Sequence, residues 1–439
     1  MLTHDTIAAL STAQGDAAIA VVRMSGMDSR AILGRVFRGP DPFACPRQMV
    51  LGKVLSGDRP VDSVLAVGFP GPASYTGEDV AEIHGHGGTF VASRVLETVL
   101  NAGARLADPG EFTRRAFLNG KMDLTQAEAV MDLIHAKTEA ALRVAGEQLA
   151  GHLGRELGTV RDSILALVAH VEAWIDFPEE DIDPDTSTNL IARAGDLLAR
   201  IDSLLSTADE GRILREGVRL VLCGAPNAGK SSLLNRLLGC DRAIVAPTPG
   251  TTRDTIEESA NLHGVLFRIT DTAGLRESTD PVEQLGIQRA REAIERADIV
   301  LHLVDASASD APPAVASSRE LVVLNKRDLL TVGDWTAGCL AISCKTGDGI
   351  EDLLKELVRR AGLHAKAPSA AAINARQHAC LVRARQGVAE SLEELLAGHA
   401  PEYAATGLHS ALDAVGEVLG ATDTEEILGT IFSTFCIGK

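Results

Sequence analysis

A glycine-rich loop lies between an apolar strand and an amphipathic helix, and its residue types are those that bind phosphate. Residues 224–231 read Gly-Ala-Pro-Asn-Ala-Gly-Lys-Ser, which fits the pattern G-x-x-x-x-G-K-S. Glycines allow backbone N–H groups to surround phosphate oxygens, the Lys230 ammonium can reach the β- and γ-phosphates, and the Ser231 hydroxyl is suited to Mg²⁺. The spacing and its strand–loop–helix setting predict a site for a nucleoside triphosphate.

Two further motifs end predicted strands of the same region. The motif DTAG at 271–274 supplies a carboxylate for the Mg²⁺ shell and a glycine N–H that can sense the γ-phosphate. The motif NKRD at 325–328 supplies a carboxylate that can accept two hydrogens from guanine, a pair that adenine does not offer. Residues 343–345 close the base pocket from a later loop, and Thr252 offers Mg²⁺ a second hydroxyl. Together the motifs predict a GTPase domain.

The predicted nucleotide site draws on several stretches of the chain. The residues predicted to contact GTP are Asn227, Ala228, Gly229, Lys230, Ser231, Ser232, Ala246, Pro247, Thr248, Pro249, Gly250, Thr251, Thr252, Asp271, Thr272, Ala273, Gly274, Asn325, Lys326, Arg327, Asp328, Ser343, Cys344 and Lys345. Among them, Ser231 and Thr252 are the predicted Mg²⁺ ligands.

The position after DTAG is unusual for a GTPase. Ras-type enzymes have a glutamine there that orients the attacking water, whereas this chain has Leu275, which can neither donate nor accept a hydrogen bond. Another group must therefore orient the water. The candidates in the following segment are Glu277, Asp280, Glu283 and Gln284.

The positive charge that an arginine finger supplies to the transition state also needs a source. A bound monovalent cation is one candidate, because the Asn227 side-chain carbonyl and the backbone carbonyls of residues 246–248 could form its shell. Arg253 and Arg276 are the alternatives.

The elements around these motifs divide the chain into four stretches. Short strand-like runs, Gly/Pro turns and a helix near 89–101 predict a small α+β domain up to about residue 120. Long amphipathic helices are predicted over about 123–209 and again after about 372. Alternating strands and helices over about 217–362 predict a parallel α/β domain. The helical stretches flank that domain, which predicts one helical bundle with the α/β domain inserted into it.

Local patterns support these helices. Thr125–Glu128 and Thr422–Glu425 each fit a capping box. Apolar residues at helical spacing, including Val160, Ile164 and Val171, predict a helix–helix core. The acidic segment 176–185 lacks the central glycine and terminal glutamate of a calcium loop and is predicted to be a solvated connection.

Composition excludes several classes of protein. A chain of 439 residues is long enough for several domains. Its net charge of −18 excludes a broad phosphate-neutralising face, so any contact with nucleic acid must be local. The seven cysteines include no C-x-x-C pair, which favours a reducing compartment over a disulfide framework. Because no signal segment or membrane-spanning apolar run is apparent, the sequence predicts a cytoplasmic protein with no membrane partner.

Three segments outside the GTPase motifs resemble one family closely. They are TGEDVAEIHGHGG at 76–88, PGEFTRRAFLNGKMDLTQAEA at 109–129 and FCIGK at 435–439. With the GTPase motifs, they resemble MnmE, also called TrmE, a family of tRNA modification GTPases. The resemblance extends over essentially the whole chain.

The resemblance implies a multidomain α/β and α fold with four stretches. They are an N-terminal α+β dimerisation and folate-binding-like domain (1–120), a discontinuous helical bundle (121–215 and 365–439) and an inserted Ras-like P-loop GTPase domain (216–364). It also implies a homodimer that acts on tRNA, with a flavoprotein partner, MnmG, in a heterotetramer. The activity implied is addition of a carboxymethylaminomethyl or aminomethyl group at C5 of the wobble uridine.

The resemblance further implies roles for individual residues. GTP hydrolysis would be stimulated by K⁺ and by dimerisation of the G domains, with Glu283 positioning the water. The implied K⁺ ligands are Asn227, Ala246, Thr248 and Thr251. The residues implied to bind 5-formyltetrahydrofolate, or a related one-carbon folate, are Arg23, Glu82, Lys121 and Lys439. Cys436 is either a catalytic thiol beside that ligand or an inert buried cysteine.

A ribosome-assembly GTPase is the alternative function, since its G domain would show nearly the same motifs. Such a protein needs an RNA-binding module. The segment Gly85-His86-Gly87-Gly88 matches the G-x-x-G of a KH domain, but it follows a strand and has no basic surround. A pure signalling switch would leave the N-terminal domain and the C-terminal FCIGK without a role.

Overall fold

The computed structural model describes residues 5–176, 184–240, 257–271, 291–308, 317–329, 340–362, 369, 371–421 and 425–438. The chain forms two compact units, one of Met1–Met131 with Asp413–Lys439 and one of Asp132–Leu412. Among the described residues, no helix is both long and apolar enough to cross a lipid bilayer.

The described residues form thirteen strands, thirteen α-helices and a short 3-10 helix at Arg327–Leu329. The strands are β1 Ile7–Leu10, β2 Ile19–Ser25, β3 Phe37–Arg38, β4 Val50–Ser56, β5 Arg59–Phe69, β6 Val80–His86, β7 Arg105–Leu106, β8 Val218–Cys223, β9 Glu257–Leu262, β10 Val265–Asp271, β11 Ile299–Asp305, β12 Glu320–Asn325 and β13 Leu340–Ala341. The helices are α1 Ser29–Val36, α2 Thr89–Asn101, α3 Glu111–Leu118, α4 Leu124–His135, α5 Glu139–Leu149, α6 His152–Asp176, α7 Pro184–Leu205, α8 Ala208–Glu216, α9 Lys230–Cys240, α10 Ile350–Arg360, α11 Ala375–Ala397, α12 Pro401–Leu419 and α13 Glu425–Ser433.

The first unit contains a seven-stranded sheet in the order β3-β4-β5-β6-β2-β1-β7. Alternate residues of its central strands are buried with α1 and α2, as the period of two in a half-buried strand requires. The helix predicted near 89–101 is α2, which confirms that prediction. β2 and β6 are antiparallel and place Arg23 directly opposite Glu82.

The beginning of α4 differs from the sequence prediction. The capping box predicted at Thr125–Glu128 forms two residues earlier: Gln126 N donates to Asp123 Oδ1 at 2.9 Å, and Asp123 N donates to Gln126 Oε1 at 3.0 Å. Thr125 lies inside the helix, and its hydroxyl donates to the same Asp123 carboxylate at 2.6 Å. Either pair fits the sequence pattern, because an aspartate carboxylate at the first position caps the helix N–H groups as well as a threonine hydroxyl does.

The second unit contains a six-stranded sheet in the order β13-β12-β11-β8-β10-β9. All its strand pairs are parallel except β9 with β10, which are antiparallel. The two residues between them, His263 and Gly264, have φ of 49° and 84°. A two-residue loop can join only antiparallel strands, since a parallel pair needs a long crossover. The predicted parallel domain therefore has one antiparallel edge strand.

The helices before and after the six-stranded sheet pack on each other. α11 packs against α7 and α8, so segments that are distant in the sequence form one bundle. The apolar residues predicted for the core of α6, Val160, Ile164 and Val171, are buried. These observations agree with a discontinuous bundle, while the boundaries at 120, 215 and 364 stay predictions.

The chain enters and leaves the α/β part at one place in this bundle. Thr207, just before α8, donates from its hydroxyl to Ala371 O at 3.0 Å and accepts from Ile373 N at 3.3 Å. A Cβ at Gly211 would lie 2.2 Å from Ile373 O, so the two segments are in close contact. Entry and exit of the insertion are therefore held side by side.

Candidate active site

The phosphate loop connects β8 to α9 and has the backbone shape that glycine permits. Gly224 has φ of 147°, and a Cβ there would lie 2.2 Å from Leu303 O. Asn227 has φ of 62°, a left-handed conformation that asparagine tolerates better than most residues. Lys230 is 7% exposed, and its Nζ donates to Gly224 O and to Ala225 O, the latter at 2.9 Å. The loop thus curls around the lysine that is expected to meet the phosphates.

Asn325 joins the phosphate loop to the base-binding loops. Its side chain is buried; Nδ2 donates to Ala228 O at 2.8 Å, and Oδ1 accepts from Cys344 N at 3.1 Å. A Cβ at Gly229 would lie 2.2 Å from Asn325 Nδ2. Glycine is therefore required at that position for the amide to cross the loop.

The Asp328 carboxylate is oriented by a buried hydroxyl. Ser343 Oγ donates to Asp328 Oδ1 at 2.6 Å and accepts from Thr346 N at 3.1 Å. The hydrogen bond from Ser343, with a smaller contribution from the Lys345 charge, lowers the pKa of Asp328 below its ordinary value. An ionised carboxylate held in one orientation is what a bidentate pair with guanine needs.

Sequence reasoning missed Asp305, which lies beside Lys326. Asp305 Oδ2 is 2.5 Å from Lys326 Nζ, and Ser307 N donates to its Oδ1 at 2.9 Å. Burial alone would raise the pKa of Asp305, but the hydrogen bonds from Lys326 and Ser307 outweigh it and lower the pKa. Asp305 ends β11 opposite Asn325 at the end of β12, so its place at the carboxyl edge of a strand was the available signal.

Two oxygen donors suited to Mg²⁺ meet at the beginning of α9. Ser231 Oγ lies 3.4 Å from Asp271 Oδ2, at the ends of α9 and β10 that face the phosphate loop. A hydroxyl and a carboxylate at this separation fit the oxygen ligand set of Mg²⁺. The structure therefore brings Ser231 and Asp271 together as the motifs predicted.

Many of the predicted residues of this site lie outside the described part of the chain. They are Ala246, Pro247, Thr248, Pro249, Gly250, Thr251, Thr252, Thr272, Ala273, Gly274, Leu275 and Glu283, with the alternatives Arg253, Arg276, Glu277, Asp280 and Gln284. Lys439, Thr422 and most of the acidic segment 176–185 lie outside it too.

In the first unit, the structure brings Arg23 and Glu82 together. Arg23 Nε donates to Glu82 Oε1 at 2.9 Å, and His84 Nε2 lies 3.0 Å from Glu82 Oε2. The Arg23 guanidinium also lies 5.8 Å from the Tyr75 ring centroid and 5.9 Å from that of Phe112. An arginine with aromatic faces beside a carboxylate offers contacts to a planar, partly anionic ligand.

Lys121 lies between α3 and α4, and its side chain reaches the loop that carries Tyr75. Its Nζ donates to Pro72 O at 3.0 Å, and a Cβ on Gly77 would lie 3.4 Å from its side chain. Burial raises the pKa of Tyr75, whose hydroxyl lies 2.9 Å from Thr113 Oγ1. Arg23 and Lys121 are thus both tied to the loop at 72–77.

The C-terminal segment packs on the first unit. Phe432 and Phe435 are buried together with Leu124 of α4. Gly110 N donates to Cys436 O at 3.4 Å, and a Cβ at Gly110 would lie 2.9 Å from Phe435 Cβ. Cys436 itself is exposed, so the inert buried alternative for this thiol is wrong.

Ser11 Oγ donates to Gly438 O at 3.2 Å, which places the tail at the end of β1. Gly438 has φ of 98°, and a Cβ there would lie 2.4 Å from Leu10 O. Gly110 immediately precedes α3, whose Phe112 lies against Arg23. The C-terminal tail therefore contacts Gly110 and the end of β1, and Arg23 contacts Phe112, two positions after Gly110.

An ionic cluster that sequence reasoning missed lies beside Phe112. Arg115 is 5% exposed and donates to Asp5 Oδ1 at 2.7 Å, to Glu111 Oε1 at 3.0 Å and to Glu78 at 3.3 Å. Arg105 Nη2 donates to Glu111 Oε1 at 2.7 Å. Burial would raise the pKa of Glu111, but the hydrogen bonds from Arg105 and Arg115 lower it. Glu111 and Arg115, four apart on α3, were the signal in the sequence.

The segment 85–88 has a structural explanation. It ends β6 and begins α2, with Gly88 as the N-cap residue. A Cβ on Gly87 would lie 2.3 Å from Ala17 O, so this turn packs against the chain before β2. The glycines serve a tight strand-to-helix turn, which removes the observation that favoured a KH-like module.

Comparison with known proteins identifies the family. A family model described as "MnmE helical domain" matches residues 124–436, and one described as "GTP-binding protein TrmE N-terminus" matches residues 6–121. The chain belongs to the MnmE family. The resemblance seen in the sequence is thereby confirmed, as are a TrmE N-terminal domain and a helical domain.

Relatives within the MnmE family match over their full length. A tRNA modification GTPase MnmE of Akkermansia muciniphila is 47% identical over 445 residues, covering 99% of each chain. One of Symbiobacterium thermophilum is 44% identical over 457 residues, covering 99% of this chain and 100% of the relative. Among solved structures, the G domain of the T. maritima FeoB iron transporter is 23% identical, and the match covers 33% of this chain and 98% of that chain with a TM-score of 0.24.

MnmE membership agrees with the chemistry of the site. The phosphate loop, the Ser231–Asp271 pair and the oriented Asp328 are the parts that a GTP-binding, GTP-hydrolysing enzyme needs. The predicted enzyme class is confirmed. The roles of individual site residues stay predictions.

Proposed function

We propose that this protein hydrolyses GTP to support addition of a carboxymethylaminomethyl or aminomethyl group at C5 of the wobble uridine of certain tRNAs. Its partner in the reaction is a flavoprotein, MnmG, with which the homodimer forms a heterotetramer. The observation that carries the proposal is the full-length match to tRNA modification GTPases in a chain whose Asp328 carboxylate accepts a hydrogen bond from the buried Ser343.

Nucleoside analysis of tRNA tests this function. Wobble-uridine nucleosides are measured by mass spectrometry in cells with and without this protein, and in cells carrying Lys230→Ala. Loss of the C5 aminomethyl-type nucleosides in both altered strains supports the proposal. Intact nucleosides with accumulating ribosomal precursors would instead support a ribosome-assembly GTPase.

Mg²⁺ and K⁺ are the ions proposed for the GTPase site. Ser231 and Thr252 would hold Mg²⁺, with the Asp271 carboxylate close to Ser231, and Asn227 would provide a side-chain ligand for K⁺. The other proposed K⁺ ligands are Ala246, Thr248 and Thr251, and at Ala246 a backbone carbonyl would serve. When bound, the cations supply positive charge to the developing transition state.

Changing Asn227 to alanine is expected to remove the difference in GTPase rate between K⁺ and Na⁺ buffers. Asn227 is exposed at the rim of the phosphate loop, so its side chain is free to contribute to an ion site without supporting the core. The steady-state rate is measured at equal ionic strength in KCl and NaCl. A K⁺ dependence that survives in the variant places the cation site elsewhere.

Changing Glu283 to alanine should lower the turnover number by about 10²-fold, the lower range for a positioned acid–base group. GTP affinity should stay within about twofold, because the residue acts on the attacking water rather than on the nucleotide. Single-turnover hydrolysis and nucleotide titration separate the two effects. If turnover is unchanged, the matched variants Glu277→Ala and Asp280→Ala identify the group that orients the water.

A one-carbon folate is the proposed ligand of the first unit. Arg23, Glu82, Lys121 and Lys439 would bind it, and the exposed Cys436 thiol would lie nearby. The support is the Arg23–Glu82 pair beside two aromatic rings and the packing of the tail on α3. Calorimetric titration of 5-formyltetrahydrofolate into the wild-type chain and into Lys121→Met tests the site; equal affinity in the two would exclude Lys121.

A further inference from the structure

We propose that Arg236 is a positioning residue for guanine recognition. It holds the Ser343–Lys345 loop against the helix that follows the phosphate loop, so that the Asp328 carboxylate keeps its orientation. This inference deepens the proposed function and rests on GTP being the nucleotide bound.

Arg236 projects from α9, six residues after Lys230. Its Nη2 donates to Cys344 O and to Lys345 O, each at 3.3 Å. The neighbouring Leu233 and Leu237 are fully buried, which fixes the helix against the sheet. The guanidinium thus reaches the base-binding loop from a rigid element, and one planar group bonds two successive carbonyls.

The loop is shaped to receive this guanidinium. Gly347 has φ of 95°, and a Cβ there would lie 3.3 Å from Arg236 Nη2. A side chain at 347 would therefore press on the guanidinium as well as strain the backbone. Glycine at 347 therefore allows both the positive φ of the turn and the close approach of the Arg236 guanidinium to the loop.

The contact to Lys345 leads to the base-selecting carboxylate in three steps. Lys345 O accepts from Arg236, and the N–H of the same peptide unit, that of Thr346, donates to Ser343 Oγ at 3.1 Å. Ser343 Oγ in turn donates to Asp328 Oδ1 at 2.6 Å. Because a peptide unit is planar and rigid, a shift at its oxygen also moves its N–H. Arg236 therefore acts on Asp328 through the Lys345–Thr346 peptide and Ser343.

Arg236 and Asn325 hold the same loop from two directions. Asn325 Oδ1 accepts from Cys344 N, whereas Arg236 donates to Cys344 O. The N–H and the carbonyl of Cys344 are thus each held by a side chain connected to the phosphate loop. Asn325 also donates to Ala228 O of that loop, and Arg236 lies on α9, which follows it. Asn325 is part of the NKRD motif, but no motif includes Arg236.

The test compares GTP with ITP, whose base lacks the 2-amino group that Asp328 is expected to bind. In full-length Arg236→Leu, we expect the dissociation rate of a fluorescent GDP to rise about tenfold, as for loss of a charge-assisted hydrogen bond. The preference for GTP over ITP should shrink as well, because Asp328 is no longer held in place. Arg236→Lys should recover part of the preference, since an ammonium can bond one of the two carbonyls.

The matched control is Arg219→Leu, which removes an arginine of β8 that pairs with Glu216. It should leave both the dissociation rate and the GTP preference at wild-type values. The proposal is overturned if Arg236→Leu keeps the wild-type preference, or weakens GTP and ITP by the same factor. A wild-type chain that does not prefer GTP to ITP would overturn recognition of the 2-amino group by Asp328 and with it this inference, whereas a wild-type chain that does not hydrolyse GTP would overturn the proposed function, which separates the two failures.

Discussion

Replacement of Asn325 with alanine should lower GTP affinity by about 100-fold, which corresponds to leaving one or two buried polar groups without a partner. The Asn325 amide is 3% exposed and bonds both Ala228 O and Cys344 N. Without it, the phosphate loop and the base-binding loop move separately in the free protein. Nucleotide binding must then restore their relative position, and that ordering reduces the observed affinity.

The measurement for Asn325→Ala is calorimetric titration of GDP and GTP, with thermal unfolding measured in parallel. The matched control is Asn261→Ala, which removes an amide that accepts from Gly264 N at 2.9 Å in the β9–β10 hairpin. The control should lose some stability but little affinity. An affinity in Asn325→Ala equal to that of the control would mean that the bridge between the loops does not contribute to binding.

Replacement of Arg115 with alanine should destabilise the first unit by about 3 kcal/mol, the low end for breaking a buried charge network because some of its carboxylates are partly exposed. Arg115 is 5% exposed and bonds three carboxylates, and the Glu111 side chain is 10% exposed. The variant leaves Asp5, Glu78 and Glu111 with less compensating positive charge. Arg94→Ala, which removes an exposed pair with Glu97, is the control and should cost under about 1 kcal/mol.

Chemical unfolding monitored at several pH values tests the Arg115 prediction further. The pKa of Glu111 is lowered in the folded state, so its contribution to stability is present above its unfolded pKa and is lost as pH falls through the folded pKa. The difference between wild type and Arg115→Ala should therefore be largest near neutral pH and shrink below about pH 4. A difference that is independent of pH would assign the loss to packing rather than to charge.

The nucleotide site could be predicted from the sequence because its motifs are local and their setting is regular. The phosphate loop and NKRD each follow a strand, and parallel strands bring their carboxyl ends to one edge of the sheet. The role of the Asn325 side chain was not predictable in the same way. Its partner Ala228 is 97 positions away in the sequence, and only the fold shows that the amide crosses Gly229.

The contrast between local patterns and contacts made by residues distant in the sequence also explains which features of the first unit were not predicted. Glu111 and Arg115 are close in sequence, but Asp5, which bonds Arg115, is 110 positions away, so the charge cluster was not visible. The capping box was misplaced because Asp123 and Thr125 both fit the first position of the pattern, each with a Gln or Glu three residues later. In the second unit, the antiparallel pairing of β9 depends on the two-residue turn His263-Gly264, which the alternating α/β pattern does not reveal.

The contact between Thr207 and the segment 371–373 limits how strongly the stability of the helical bundle depends on the size of the inserted α/β part. Because the ends of the insertion are held together by the bundle, the conformational entropy of closing that loop depends only weakly on its length, by about 0.6 kcal/mol for each doubling. The helical bundle can therefore accommodate an insertion of very different size at nearly constant stability.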